Sequence, residues 1–350
     1  MKFKIRILSP VHIKSGDALS PYLDFIYRDN YLIYIDNKKL WNDISKNEEI
    51  LDEYVKIVKN KDSNSKEKYT LDKFLERNNV DVGKYAFAKV NCNANIKSME
   101  VNEIIKTSGR PYIPGSSIKG AIRTAVLYNY LKLNGFDFNK LLDISAKKNK
   151  RKTYVGQDVM RNGNKNVQSD IMKFLQVSDT EYTNMENISV NLEYSIDYIY
   201  VNKYDKLSTK IPMASESINR EIILEFYIKC VKKNKFFKNE NDILESIKNF
   251  YKDNIEHHIK VMEDSSKEIF SDIISKYINY LNEIEKGKCI LRVGSGKNFY
   301  DNTICNLFNE KDVQQKIAGV KYSPFPKTDW FVLDSQKNCI KESLGWIEII

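Results

Sequence analysis

The chain opens on a strict alternation. Lys2-Phe-Lys-Ile-Arg-Ile-Leu8 places Phe3, Ile5 and Ile7 on one side of an extended backbone and Lys2, Lys4 and Arg6 on the other, the period of a half-buried strand that Pro10 then ends. Apolar runs at 22–27 and 31–35 flank Arg28-Asp29-Asn30 and predict a hairpin, entered through a turn at Ser15-Gly16-Asp17. Residues 40–79 are helix-prone, with 59–68 polar enough to read as a loop or connector. Gly109, Pro111 and Pro114 punctuate the chain before a helix running from 116 to about 133, whose core stripe is Ile118, Ala121, Ile122, Ala125 and Tyr128 at three- and four-residue spacing.

Beyond the helix the pattern breaks into the cluster Lys147-Lys148-Asn149-Lys150-Arg151-Lys152, set among Asn and Gly residues, which reads as a linker or loop. Strands follow at 174–177 and 188–200, then at 210–216 and 221–230, the last two joined as a hairpin through 217–220. Residues 241–286 are helical, 289–293 return to a strand, 302–308 suggest a short helix, and strands at 330–333 and 346–350 close the chain. Strands and helices recur in mixed order, which predicts an α+β protein with two sheets rather than one parallel sheet. With 350 residues there is material for two domains. Their expected bounds are 1–145, a basic linker or loop at 146–166, and 167–350 with the helical insertion at about 241–286.

Composition narrows the chemistry. Lys and Arg number 56 against 47 Asp and Glu, a formal charge of +9, and such a surplus favours a polyanionic partner because cations on phosphates release condensed counterions. The 5 cysteines are scattered and form no CxxC pair, which speaks against a disulfide framework or a thiolate zinc site and for reduced thiols in the cytoplasm. No run of about 18 uncharged apolar residues occurs, so neither a membrane span nor a signal peptide is expected. Only 3 histidines are present. His257 and His258 are adjacent on a helix, diverge, and read as a surface pair that cannot share a metal. Asp24 reads as structural, and no carboxylates show the paired spacing of two-metal chemistry. No cofactor and no metal are expected.

Two stretches carry the candidate chemistry. In Tyr112-Ile-Pro-Gly-Ser-Ser-Ile-Lys-Gly-Ala-Ile-Arg-Thr-Ala125, Gly115 allows a close backbone approach and Ser116 or Ser117 caps the helix start, where free N–H groups favour an anion. Lys119 and Arg123 lie opposite the apolar stripe, placed to hold one or two phosphates; a capped amphipathic helix with a solvated basic face fits the spacing equally well. Gly115 and Gly120 have P-loop spacing, but Ala121 and Ile122 stand where Lys and Ser/Thr are needed, which excludes that nucleotide site. In Arg292-Val-Gly-Ser-Gly-Lys-Asn-Phe299, Gly294, Ser295 and Gly296 expose backbone amides to a phosphate, Arg292 and Lys297 add charge, and Phe299 offers a stacking ring; an ordinary strand–helix turn is the plain alternative.

Residues 114–123 closely resemble the motif of the RAMP superfamily, the RNA-binding subunits of CRISPR effector complexes. Four further segments fit that family in order: Ser9-Pro-Val-His-Ile-Lys-Ser-Gly16, Phe174-Leu-Gln-Val-Ser-Asp179, residues 292–299, and Pro326-Lys-Thr-Asp329. Their spacing is similar to that of the subunit family that caps the guide RNA in type III-A (Csm) complexes. The resemblance implies two ferredoxin-like (RRM-type) units with antiparallel sheets and helical insertions, and no active site. It implies crRNA as ligand, bound at its 3′ end through 115–123, 294–299, and His12 with Lys14. It also implies the backbone RAMP subunit and the small helical subunit as neighbours, and a separate trimming nuclease as a transient partner in guide maturation. A competing reading makes His12 the general base of a metal-independent endoribonuclease that processes precursor crRNA.

Overall fold

The structure is a computed structural model that describes residues 1–59, 69–92, 95–96, 98–137, 141, 156–161, 163, 166–207, 212–313, 324–334, 336 and 339–350. The polar stretch 60–68 and the basic cluster 147–152 lie outside the described residues.

Two sheets organise the chain. The first contains β1 (Lys2–Ile7), β9 (Leu175–Val177), β12 (Ile223–Cys230), β13 (Cys289–Arg292) and β16 (Trp346–Ile349). Its order is β13-β16-β1-β12-β9, antiparallel throughout. The opening alternation is realised: Ile5 and Ile7 are fully buried while Lys2 and Lys4 face out. On β12, Leu224, Phe226 and Ile228 are buried and Ile223 and Tyr227 are half exposed, the period-2 pattern of a sheet with one wet face.

The second sheet is larger and mixed. It holds β2 (Lys14–Leu19), β3 (Phe25–Arg28), β4 (Tyr31–Ile35), β5 (Ala86–Cys92), β6 (Val101–Ile104), β10 (Ile188–Asp197) and β11 (Met213–Ile218) in the order β2-β6-β11-β10-β5-β4-β3. β14 (Thr328–Leu333) pairs with β10 and carries β15 (Ile340–Ser343) beside it. β10 runs parallel to β5, and β11 parallel to β6. Strands from either side of 146–166 share both sheets: β1 pairs with β12 and β16, and β5 pairs with β10.

Helices cover the inner face of the first sheet. α1 (Asn37–Ile44), α2 (Glu48–Lys59) and α3 (Leu71–Arg77) build a separate apolar cluster around Tyr54, Leu71 and Phe74 beside the β3–β4 hairpin. α4 (Gly115–Asn134) buries the expected stripe of Ile118, Ala121, Ile122, Ala125 and Tyr128, and Val126, Leu127 and Leu131 besides. It therefore packs on two sides, and each fully buried aliphatic side chain is worth about 1.5–3 kcal/mol. α5 (Tyr198–Tyr204) follows β10; α6 (Glu240–Ser266) and α7 (Ser271–Glu285) form the expected helical insertion. Tyr128 of α4 meets Phe250 of α6 edge-on at 5.1 Å, and Asn129 donates to the Ser246 hydroxyl at 3.3 Å.

The mixed α+β class and the antiparallel pairing agree with the sequence; several local expectations do not. Residues 15–17 belong to strand β2, held by β6, which the alternation did not reveal. The expected hairpin between β11 and β12 does not form, because β11 pairs with β10 and β6 whereas β12 pairs with β1 and β9. Their burial explains the split. β11 is covered on nearly all positions, β12 on alternate ones, and strands with such different environments belong to different layers. Residues 198–200 turn into α5, where the Asp197 carboxylate accepts from the Ile199 and Tyr200 amides and starts a helix.

Candidate nucleic-acid interface

Two of the crossings between the sheets, at 8–13 and at 218–222, run side by side. Val11 and Ile218 exchange backbone hydrogen bonds at 3.1 and 2.9 Å, and the Glu221 amide donates to the Ile7 carbonyl at 2.8 Å. The glycine loop after β13 docks onto this seam. The Ser295 amide donates to the His12 carbonyl at 2.8 Å, and Gly294 (φ +71°) lies so close to that oxygen that any side chain would collide with it. Its freedom is spent on the chain's own approach. Gly296 packs in the same way on Leu344.

His12 lies inside this seam. It is fully buried, its Nδ1 is 2.5 Å from the Glu216 carbonyl oxygen, and burial lowers its pKa to about 4. Arg292 is equally enclosed. Its Nε donates to the Leu344 carbonyl at 2.8 Å and Nη1 to Asp301 at 2.9 Å, with Asp329 at 3.7 Å and the Trp346 ring beneath. Asn254 donates to Asp301 at 2.6 Å, Asn298 bridges to Asp329 at 3.3 Å, and His258 approaches both carboxylates. Burial pushes both acids up, but for Asp301 the Arg292 charge together with His258 and the Asn298 amide outweighs it and the net direction is down, whereas Asp329 stays raised. Arg292 is thus a core cation, and the structure corrects its expected place at the surface of the glycine loop. The histidine pair is likewise not a surface feature: His258 is 2 % exposed inside this network, and the half-buried His257 packs with its ring centre 4.0 Å from that of Tyr300, tilted by 48°. His258 falls on the buried stripe of α6, four residues after Asn254 and seven after Tyr251.

The start of α4 is capped differently from expectation. Pro114 is the N-cap, and neither Ser116 nor Ser117 bonds back to the backbone; the free Gly115 N–H donates instead to the Asp179 carboxylate at 2.7 Å. A side chain at Gly115 would strike the Val177 and Ser178 carbonyls, so glycine is required by the segment that follows β9. Ser116 is exposed and Ser117 partly so. The two expected phosphate cations part company. Arg123 is committed to a two-pronged ion pair with Asp170 at 2.8 and 2.7 Å, with Arg161 3.8 Å away. Nothing in the sequence, 47 residues apart, announces that pair. Lys119, by contrast, makes no hydrogen bond or ion pair among the described residues, although partial burial lowers its pKa.

Lys297 repeats that condition at the glycine loop. Burial lowers its pKa, no described residue bonds its ammonium, and it borders an open recess of about 400 Å³ shared with Asn302, Thr303, Thr328 and Trp330. Phe299 leans on Phe325 at 4.8 Å and is half-buried. Lys14 is exposed on β2. The five segments of the resemblance meet in two groups, 9–16 and 326–329 on 292–299, and 174–179 on 114–123.

A two-sheet α+β chain whose glycine loop and capped helix are held by these contacts is a RAMP fold, and residues 4–299 match the RAMP superfamily, to which the chain therefore belongs. It is similar to the CRISPR system Cms protein Csm5 of Methanocaldococcus jannaschii, 28% identical over 340 residues, covering 89% of this chain and 74% of that one. The Streptococcus thermophilus protein of the same name is 28% identical over 143 residues, 38% of this chain and 39% of that one. Two solved structures share the fold. A chain from a cryo-EM structure of a Csm–crRNA–target RNA ternary complex of a type III-A system superposes with TM-score 0.72 at 23% identity, covering 100% of both chains. The crystal structure of T. onnurineus Csm5 gives TM-score 0.70 at 22%, covering 98% of this chain and 99% of that one. These likenesses bear out the expected family and its ferredoxin-like units. Among the described residues no helix is long and apolar enough to cross a membrane.

Proposed function

We propose that this chain is a non-catalytic crRNA-binding subunit of a type III-A CRISPR interference (Csm) complex in the cytoplasm. It caps the 3′ end of the guide beside the backbone RAMP subunit and the small helical subunit, and helps position a separate trimming nuclease. The names of its relatives support the complex. The observation that carries RNA binding is the pair Lys119 and Lys297: two cations, each partly desolvated, each acted on by a carboxylate, Asp170 or Asp301, without a hydrogen bond or ion pair among the described residues, each on a segment of the family pattern. A cation partly held out of water without a direct ion pair is costly, and a phosphate supplies that contact. Gly115, Ser116 and Ser117 border the strand at one end and the loop 294–296 sets Lys297 at the other, while Arg123, His12 and Arg292 hold those segments from behind. The endoribonuclease reading finds no support in His12, whose ring is enclosed by the seam.

The test is titration of the chain with single-stranded guide RNA at several salt concentrations. Lys119→Ala with Lys297→Ala should weaken binding and flatten the log–log salt slope by about 0.7 for each phosphate that is no longer neutralised. A parent-like slope and affinity in that variant would refute the reading. So would metal-independent cleavage of repeat-containing RNA that His12→Ala abolishes.

A further inference from the structure

Immediately before α4 the chain makes a tight two-strand turn, β7 (Lys106–Thr107) with β8 (Arg110–Pro111), through Ser108 and Gly109, both at positive φ. The segment leaving it is clamped along 178–183. The Thr183 amide donates to the Pro111 carbonyl at 2.8 Å, the Thr180 amide to the Ile113 carbonyl at 3.0 Å, and the Ile113 amide to the Thr180 hydroxyl at 2.9 Å. This clamp sets three side chains together on the outside. The Arg110 guanidinium lies 4.6 Å from the centre of the Tyr182 ring, and Tyr112 meets Tyr182 edge-on at 5.5 Å and 77°.

Neither phenol hydroxyl nor the guanidinium has a hydrogen bond or ion pair among the described residues, and Tyr182 is 44% exposed. A cation laid on an aromatic face in water gains little by itself. What the arrangement provides is a braced ledge of guanidinium and phenols, two residues before Pro114 and three after Asp179, the residues that frame the start of α4. Unstacked bases of a single strand are held on such surfaces, and because every base has a π-face the recognition is tolerant of sequence.

We propose that Arg110, Tyr112 and Tyr182 form a base-stacking step for single-stranded RNA, adjoining the phosphate contacts of α4. The inference rests on the RNA-binding reading above and adds to it a ligand group, the nucleobase, and a site that lies outside all five family segments.

The full-length chain is titrated with two probes, a uridine 12-mer and a ribose–phosphate 12-mer lacking bases. Tyr182→Ala should bind the uridine strand about ten-fold more weakly, the effect of removing one stacked base, with an unchanged salt slope. Binding of the abasic strand should not change, and Tyr182→Phe should behave as the parent. Lys119→Ala should weaken both probes and flatten the slope. Parent-like uridine binding by Tyr182→Ala overturns the proposal, as does equal weakening toward the abasic strand. Retained RNA affinity with lost assembly into a larger complex would show the ledge to be a protein contact, and also overturns it. If the parent binds neither probe, the RNA-binding reading itself fails.

Discussion

The seam between the sheets and the start of α4 are built from the same kinds of residues, glycines beside cations, and they use them in opposite ways. Inside the seam the charged and titratable groups are answered from within, Arg292 by Asp301 and Asp329, and His12 held neutral against the Glu216 carbonyl, while Lys297 at the edge of the glycine loop makes no ion pair among the described residues. At α4 the backbone end is answered by Asp179 and Arg123 by Asp170, while Lys119 makes no hydrogen bond or ion pair among the described residues. A glycine–cation motif therefore says where backbones come close, without saying whether the second body is another piece of the chain or a ligand. Burial and pairing decide that. The first region is read as glue, the second as interface.

The largest test of this contrast is Arg292→Met. It leaves two buried carboxylates facing each other without a cation, and breaking a buried ion pair from one side costs about 3–5 kcal/mol. Denaturant unfolding should show that loss, and Arg292→Met with Asp301→Asn should recover part of it. RNA affinity measured well below the unfolding midpoint should match the parent. A variant that keeps its stability and loses RNA would move Arg292 from glue to interface.

How much of this was legible beforehand follows from which contacts are local. The alternation of β1 and the stripe of α4 are read directly, since residues two, three or four apart report their own burial. The separation of β11 from β12 was hidden because a short connector between two apolar strands looks the same whether it turns back or crosses to another layer. The commitments of Arg123 to Asp170 and Arg292 to Asp301 and Asp329 depend on side chains that only the fold brings together. Family resemblance located segments that the fold brings into contact and left the division of labour among them open, because spacing does not carry burial.

His12 offers an intermediate effect with a defined pH window. Its folded pKa is about 4 against an ordinary 6.5, so the unfolded chain takes up the proton first. The associated stability is present in full above about pH 6.5 and is lost as pH falls toward 4, up to about 3 kcal/mol at 1.36 kcal/mol per unit. His12→Asn keeps a donor for the Glu216 carbonyl and removes the titration. Its unfolding free energy should decline less than the parent's between pH 7 and pH 4.5. Identical declines would mean that His12 is not enclosed as described.

The smallest effect separates the two regions most cleanly. Gly120 lies on the exposed side of α4, one residue after Lys119, and a methyl group there would meet nothing within 4 Å. Inside a helix a glycine costs about 0.5–1 kcal/mol relative to alanine, and no packing contact at this position accounts for it. At Gly294 the missing side chain makes room for the His12 carbonyl; at Gly120 no part of the described chain fills the space. If RNA backbone occupies it, Gly120→Ala should raise the unfolding free energy by that amount while weakening guide RNA several-fold, stability and affinity moving in opposite directions. A gain in stability with unchanged affinity would leave this face of α4 solvated, and Lys119 with it.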